Sequence, residues 1–154
     1  MNKQISIEDI APIIVEQMKC GGKVSLTPKG NSMLPLFRNN QDVVTLSSPK
    51  FPLKKYTIAF YKRDNGKYVL HRVISEKNNI YTMRGDNQFI NESGIEESQI
   101  IAVVNEFTRK CKKYTISSTK YKIYTFVWIH TLYIRLAYKM ARRFLGRIKR
   151  KLIG

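Results

Sequence analysis

The chain of 154 residues is poor in the side chains that build disulfide frameworks and metal sites, since it has two cysteines and two histidines. Cys20 and Cys111 are far apart in sequence and belong to no Cys-x-x-Cys pair or His/Cys cluster. The sequence therefore predicts neither a disulfide framework nor a zinc site, and we expect no metal or cofactor. A chain of this length buries a hydrophobic core without such cross-links.

Acidic residues are missing from one part of the chain. Residues 1–106 hold 14 Lys/Arg and all 11 Asp/Glu, for a net charge of +3, whereas residues 107–154 hold 14 Lys/Arg and no acid, for +14. The excess of positive charge therefore belongs to the C-terminal tail. Such a tail is typical of an electrostatic anchor for an anionic surface, either lipid or nucleic acid.

Long hydrophobic runs are also missing. The longest apolar stretch, residues 123–134, is too short for the ~20 residues of a membrane-spanning helix. Glu8 and Asp9 interrupt the N-terminus, so we expect no cleavable export signal. Beyond residue 134, apolar residues recur every four positions opposite a basic face, which predicts an amphipathic helix lying in a membrane interface. The residues expected to contact the membrane are Phe126, Trp128, Tyr133, Arg142, Arg143 and Arg147.

The remaining patterns predict a mainly β protein. Asp9 is a candidate N-cap for a short N-terminal helix, with Pro12 in its first turn and Cys20-Gly21-Gly22 at its end. Period-two runs of β-branched and aromatic residues then follow, and Asn65-Gly66 indicates a hairpin. We expect an N-terminal helix over 1–22, an antiparallel β domain over 23–108 and a basic amphipathic tail over 109–154.

Three groups suited to nucleophilic catalysis occur in order within the β domain. Ser32 stands in Gly30-Asn31-Ser32-Met33-Leu34-Pro35, between a glycine and a proline-stiffened turn. A serine hydroxyl needs a neighbouring base, and His71 is the only histidine outside the tail. Either Asp86 or Glu92 could accept the second ring N–H of His71, and the sequence does not choose between them.

These segments together resemble the superfamily of type I signal peptidases and LexA-like self-cleaving repressors. The resemblance covers roughly residues 23–108. The matching segments are Gly30 to Pro35, Gln41-Asp42-Val43-Val44, Tyr68 to Ile74, Arg84-Gly85-Asp86-Asn87 and Ile100 to Val104. Four or more ordered segments are far more specific than any one of them.

The resemblance implies a fold and a set of roles. The implied fold is a barrel-like domain of coiled antiparallel sheets that carries the serine on a loop near its start. Ser32 would be the nucleophile and His71 the general base, as in the endoplasmic-reticulum and sporulation-type signal peptidases, which use histidine where other members use lysine. Asp86 falls in the Gly-Asp-Asn segment, and Glu92 falls where a second acid, normally aspartate, is expected.

The chain also departs from the family pattern. Thr57 stands where an aspartate is usual, and Gly30 offers no hydroxyl to an oxyanion hole, which leaves the backbone N–H of Ser32 as its main donor. The N-terminal membrane anchor of housekeeping signal peptidases is not found in this sequence.

The function expected from the sequence is that of a Ser/His endopeptidase. It would act through an acyl-enzyme on a peptide or protein and would associate with an anionic membrane surface, with the cytoplasmic side favoured. The alternative is a non-catalytic or self-cleaving regulatory module of the same fold whose basic tail binds nucleic acid or anionic lipid. A third reading is that the tail packs its apolar stripe on the β domain.

Overall fold

The computed structural model describes the backbone of residues 6–153 and the side chains of residues 6–145. It is mainly β, with eight strands and three α-helices. The strands are β1 (Lys23–Leu26), β2 (Val43–Ser47), β3 (Ile58–Lys62), β4 (Tyr68–Lys77), β5 (Ile80–Arg84), β6 (Glu92–Glu96), β7 (Ile100–Arg109) and β8 (Lys112–Thr115). The helices are α1 (Ile7–Lys19), α2 (Thr119–His130) and α3 (Leu132–Ile153).

All eight strands belong to one antiparallel sheet, which is not closed. The order is β1-β2-β7-β3-β4-β5-β6, and β8 pairs with β7. The expected hairpin at Asn65-Gly66 joins β3 to β4, where Gly66 has a φ of +81° that suits glycine. The predicted period-two runs correspond to β1 to β5 and to β7. Strands β6 and β8 lie where no such run was predicted.

Two apolar clusters form the core. Alternate residues of a strand point to opposite faces, so Phe60 contributes to one cluster with Val44 and Val104, and Tyr61 contributes to the other with Val73. Residues 58–61 are all buried, because β3 is covered on both faces. The candidate site described below includes Tyr61 of this central strand and His71 of its partner β4.

Helix α1 starts earlier than the sequence analysis predicted. Ser6, not Asp9, is the N-cap: its hydroxyl accepts a hydrogen bond from Asp9 N at 3.2 Å, and the Asp9 carboxylate accepts one from Ser6 N at 3.3 Å. This reciprocal capping box satisfies two free N–H groups. Pro12 therefore lies in the second turn rather than the first.

The tail is more varied than a single amphipathic helix. It begins with β7 ending at Arg109 and with β8, which the pattern of apolar residues did not reveal. Helix α2 packs against the sheet: Thr125 is buried, and Tyr121 and Tyr124 contact the cluster that contains Phe60. Helix α3 presents an apolar stripe to solvent, which includes Tyr133, Met140 and Phe144.

Candidate active site

The loop that carries Ser32 is held by its own apolar residues. Met33, Leu36 and Phe37 are buried in the cluster that contains Phe60, and Phe37 N donates to Met33 O at 2.9 Å. Burial of three such side chains contributes about 1.5–3 kcal/mol each. The half-buried Ser32 is therefore attached directly to a fixed segment.

Asp42 joins this loop to strand β7. It is fully buried and accepts hydrogen bonds from Arg38 and Arg109, whose guanidinium also donates to the carbonyls of Pro35 and Leu36. Burial acts to raise the pKa of Asp42, but the bonds from Arg38 and Arg109 outweigh it and lower the pKa to about 2. The aspartate of the Gln41-Asp42-Val43-Val44 segment thus holds the serine loop in place.

Ser32 also contacts the Gly85-Asp86-Asn87 turn. Asn87 N donates to Ser32 O at 2.8 Å, and Asn87 Nδ2 donates to Asn31 O at 3.1 Å. The approach to Gly85 is so close that a Cβ there would lie 2.6 Å from Ser32 O. The glycine of this turn is therefore required by the position of the serine loop.

The same turn also adjoins the strand that carries His71. Arg84, the residue before Gly85, pairs in the β4–β5 ladder with Arg72, the residue after His71. No direct hydrogen bond joins the Ser32 hydroxyl to the His71 ring among the described residues. Catalytic hydrogen bonds are often long before substrate binds.

The surroundings of His71 favour the neutral form of its ring. It is only 2% exposed, and its Nδ1 lies 3.1 Å from the Tyr61 hydroxyl. Burial, followed by the positive charge of Arg63, lowers the pKa of His71 to about 4, although Glu92 and Asp86 oppose this shift. Nε2 makes no hydrogen bond with the described residues.

The two candidate acids occupy different positions. Asp86 forms a bidentate pair with Arg72, with distances of 2.7 Å to both oxygens, and both side chains are almost fully buried. Glu92 Oε2 lies 3.7 Å from His71 Nδ1 and accepts a hydrogen bond from Tyr61 at 2.8 Å. Of the two acids, Glu92 is the one whose hydrogen-bond chain reaches the ring of His71.

The Arg72–Asp86 pair is also the point where the tail meets the β domain. Arg72 donates to the Tyr121 hydroxyl at 2.8 Å, and Trp128 Nε1 donates to Asp86 O at 2.8 Å. The Arg135 guanidinium stacks over the Trp128 ring at 3.6 Å. Helix α2 and the start of α3 therefore cover the turn that supports Ser32.

An apolar groove of about 540 Å³ begins at Ser32. Its lining includes Ile7 and Ile10 of α1, Val24 and Leu26 of β1, and Leu70 next to His71. A larger cavity of about 1220 Å³ lies elsewhere, between the 47–57 segment and α2, and neither Ser32 nor His71 lines it. Ser32 lines the smaller groove and His71 lines neither, so the position of Ser32 makes the smaller groove the better candidate for a substrate site.

The residues predicted to contact a membrane differ in their exposure. Phe126 on α2 and Tyr133 on α3 are exposed, as are Arg142 and Arg143. Trp128 instead directs its indole N–H to the β domain. The side chain of Arg147 lies outside the described residues.

Sequence reasoning missed Tyr61, Arg63, Arg72 and Asn87. The hairpin at Asn65-Gly66 contained a usable signal, since its register makes Tyr61 a diagonal neighbour of His71 on one face. Asn87 was part of a recognised segment, but its contact with Asn31 depends on how the loop folds over the sheet.

No family model and no curated protein matches this chain. Over the described residues, none of the helices combines the length and apolar character needed to cross a membrane.

Proposed function

We propose that this protein is a serine endopeptidase with a signal-peptidase-like or LexA-like active site. Ser32 is the nucleophile and His71 is the general base. The observation that carries the proposal is the contact of the Ser32 loop with Gly85 and Asn87, at the end of the strand pair that carries a neutral His71.

The proposed reaction follows from this arrangement. As the Ser32 Oγ attacks a peptide carbonyl carbon, its proton passes to His71 Nε2, and the Ser32 N–H stabilises the developing oxyanion. The Ser32 N–H makes no hydrogen bond with the described residues, so it is available for this role. His71 then donates the proton to the leaving amine, and water hydrolyses the acyl-enzyme with His71 again as base.

The family-like segments support a barrel-like peptidase fold, because they contact one another although they are distant in sequence. The Asp42 segment holds the Ser32 loop, the His71-Arg72 segment binds Asp86, and the Asp86-Asn87 turn binds Ser32 O. A set of unrelated turns has no reason to converge in this way. We include the signal-peptidase-like or LexA-like identity in the proposal on this basis.

The substrate side of the proposal rests on the groove beside Ser32. Strand β1 lies at one end of the sheet order, so one of its edges has no partner strand among the described residues. An extended peptide can add to such an edge and place alternate apolar side chains in the groove. A peptide or protein segment with apolar residues fits this site.

A fluorophosphonate probe tests the nucleophile. We expect the full chain to be acylated at Ser32, as mapped by mass spectrometry of its peptides, and Ser32→Ala to abolish that adduct. His71→Ala should slow labelling roughly a thousandfold. Ser98→Ala, which removes an exposed serine outside the site, is the matched control and should label normally. Labelling of Ser32 at an unchanged rate in His71→Ala would contradict the mechanism, and an unlabelled wild-type chain would favour a non-catalytic module.

The proposal also includes association with an anionic membrane through α3. Tyr133, Met140 and Phe144 are between 62% and 78% exposed and lie on one side of the helix by their spacing, and the exposed Arg142 lies on the opposite side. An apolar face opposite a basic one is the pattern of helices that lie in a lipid interface.

Vesicle co-sedimentation of the full chain tests this part. We expect binding to vesicles that contain phosphatidylserine and weak binding to phosphatidylcholine alone. Met140→Asp with Phe144→Asp should lower binding at least about tenfold, since each apolar side chain contributes about 1 kcal/mol or more when buried in lipid. Met140→Leu with Phe144→Leu keeps the apolar face and is the control. Equal binding of both double variants, or stronger binding to oligonucleotides than to lipid, would overturn the membrane assignment.

A further inference from the structure

The Tyr61 hydroxyl lies between the imidazole of His71 and the carboxylate of Glu92. It is 3.1 Å from His71 Nδ1 and 2.8 Å from Glu92 Oε2, and the Tyr61 side chain is fully buried. A tyrosine hydroxyl has one proton to donate and lone pairs to accept with. It therefore donates to only one of these two neighbours.

The carboxylate is the stronger acceptor. Glu92 is ionised because Arg63 donates two hydrogen bonds to it, at 2.7 Å and 2.6 Å. Burial acts to raise the pKa of Glu92, but the bonds from Arg63 and Tyr61 outweigh it and lower the pKa. Hydrogen bonds to ionised groups are shorter and stronger than neutral ones, and the contact with Glu92 is the shorter of the two.

From this we infer that Tyr61 is a positioning residue for the proposed reaction: it donates its proton to Glu92, accepts Nδ1–H from His71, and so leaves Nε2 of His71 unprotonated toward Ser32. The inference rests on the proposed function for its catalytic meaning. Its structural content, a single ring tautomer set by Tyr61, can be measured without any turnover.

The hydrogen-bond relay from Glu92 through Tyr61 to His71 also explains how a carboxylate 3.7 Å from the ring affects its tautomer. In the Ser-His-Asp arrangement an acid accepts the second ring N–H directly. Here the tyrosine oxygen is that acceptor, and Glu92 polarises it through a chain of hydrogen bonds. The pKa of the Tyr61 hydroxyl is raised by burial and by Glu92, so the hydroxyl keeps its proton.

The charged groups around His71 come from three segments. Arg63 follows β3, Glu92 belongs to β6, and Asp86 lies in the turn after β5, where Arg72 neutralises it. Within the described residues, none of these charged groups forms a hydrogen bond with the His71 ring, whereas the Tyr61 hydroxyl does. Loss of this hydroxyl should therefore change the tautomer more than loss of any single charge.

Nitrogen-15 NMR of histidine-labelled full chain at neutral pH tests the inference. The chain has two histidines, and exposed His130 serves as the internal reference. We expect wild-type His71 to show a protonated Nδ1 and an unprotonated Nε2. Tyr61→Phe, which keeps the ring and its packing, should shift the population at least about fivefold toward the Nε2–H tautomer, since one hydrogen bond is worth about 1 kcal/mol or more. A protonated Nε2 in the wild type, or an unchanged tautomer in Tyr61→Phe, would overturn the inference.

Glu92→Gln gives a second variant that retains the shape of the acceptor. Its neutral amide attracts the Tyr61 proton less strongly, so we expect a mixture of both tautomers. Fluorophosphonate labelling of the same proteins then gives the functional reading. Tyr61→Phe should label Ser32 roughly tenfold more slowly across the pH range in which His71 is neutral.

The two claims fail separately. If the wild-type chain shows the expected tautomer but Ser32 is never labelled, the proposed function fails and the relay stands. If Ser32 is labelled and Tyr61→Phe leaves both the tautomer and the labelling rate unchanged, the relay fails and the proposed function stands.

Discussion

Replacing Gly85 with alanine should displace the Ser32 loop by a definite amount. The added Cβ would lie 2.6 Å from Ser32 O and 2.9 Å from Gln88 Oε1, whereas ordinary contacts of this kind begin at 3.4 Å. Gln88 is flexible at its end, but Ser32 O is backbone and is held by Asn87 N. The loop must therefore withdraw by about 0.8 Å, the difference between these two distances.

This displacement determines how much Gly85→Ala should slow the labelling of Ser32. Misplacement of a reacting group by about 1 Å costs roughly a hundredfold in rate, so we expect Gly85→Ala to slow labelling of Ser32 roughly thirty- to hundredfold. Overpacking should also lower the free energy of unfolding by about 1–3 kcal/mol. Gly85 does not have a positive φ, so the effect is steric rather than conformational.

The assay compares Gly85→Ala with Gly21→Ala. Gly21 has a φ of +70° and nothing within 4 Å of an added Cβ, so alanine there costs about 1 kcal/mol of backbone strain and leaves Ser32 in place. Labelling rate, urea unfolding and hydrogen exchange at the Asn87 amide are measured on both. Normal labelling and full protection of Asn87 in Gly85→Ala would refute the reasoning, and the exchange measurement decides even if Ser32 proves unreactive.

Three further predictions concern the surroundings of the site. Asp86→Asn should lower the free energy of unfolding by about 3–5 kcal/mol, measured by urea denaturation, because it leaves the buried Arg72 charge without its partner; a loss below about 1 kcal/mol would contradict this. Because burial lowers the folded-state pKa of His71 to about 4 from an unfolded value near 6.5, its neutral form favours folding fully above pH 6.5, and roughly 3 kcal/mol should be lost as pH falls from 6.5 through 4. Denaturation of the wild type and His71→Gln at pH 7 and pH 4 should show this loss in the wild type alone, after subtraction of the shared carboxylate titrations. Trp128→Phe should cost about 1 kcal/mol through loss of the hydrogen bond to Asp86 O, and an unchanged urea midpoint would show that α2 does not stabilise the turn.

Local patterns predicted six of the eight described strands, because alternation of apolar residues reports which face of a strand is buried. Val43 to Leu46 and Ile58 to Tyr61 show it clearly, and Asn65-Gly66 marked a turn that few other dipeptides adopt. Strand β8 was missed because all four of its residues are exposed, and β6 because Ile95 is its only buried residue. Such strands are held by pairing with neighbours, which leaves little trace in their own composition.

The tail shows more plainly that composition does not predict which helix packs on the sheet. A uniform basic excess predicted one amphipathic segment, yet α2 packs on the sheet and α3 presents its apolar face to solvent. The difference comes from contacts such as Trp128 N–H to Asp86 O, which join residues 42 positions apart in the sequence. Nothing in the spacing of the tail distinguishes an aromatic ring bound to the sheet from one available to lipid.

The identities of Ser32 and His71, their order and the chemistry open to a serine hydroxyl and an imidazole were readable from the chain alone, because reactivity belongs to residue types. The partners of these groups were not readable, because Tyr61, Asn87 and Arg72 reach them through strand register and loop closure. The sequence also could not choose between Asp86 and Glu92, because both are carboxylates with the same chemistry. Only the folded structure shows that Asp86 pairs with Arg72 and that Glu92 is linked to His71 through Tyr61.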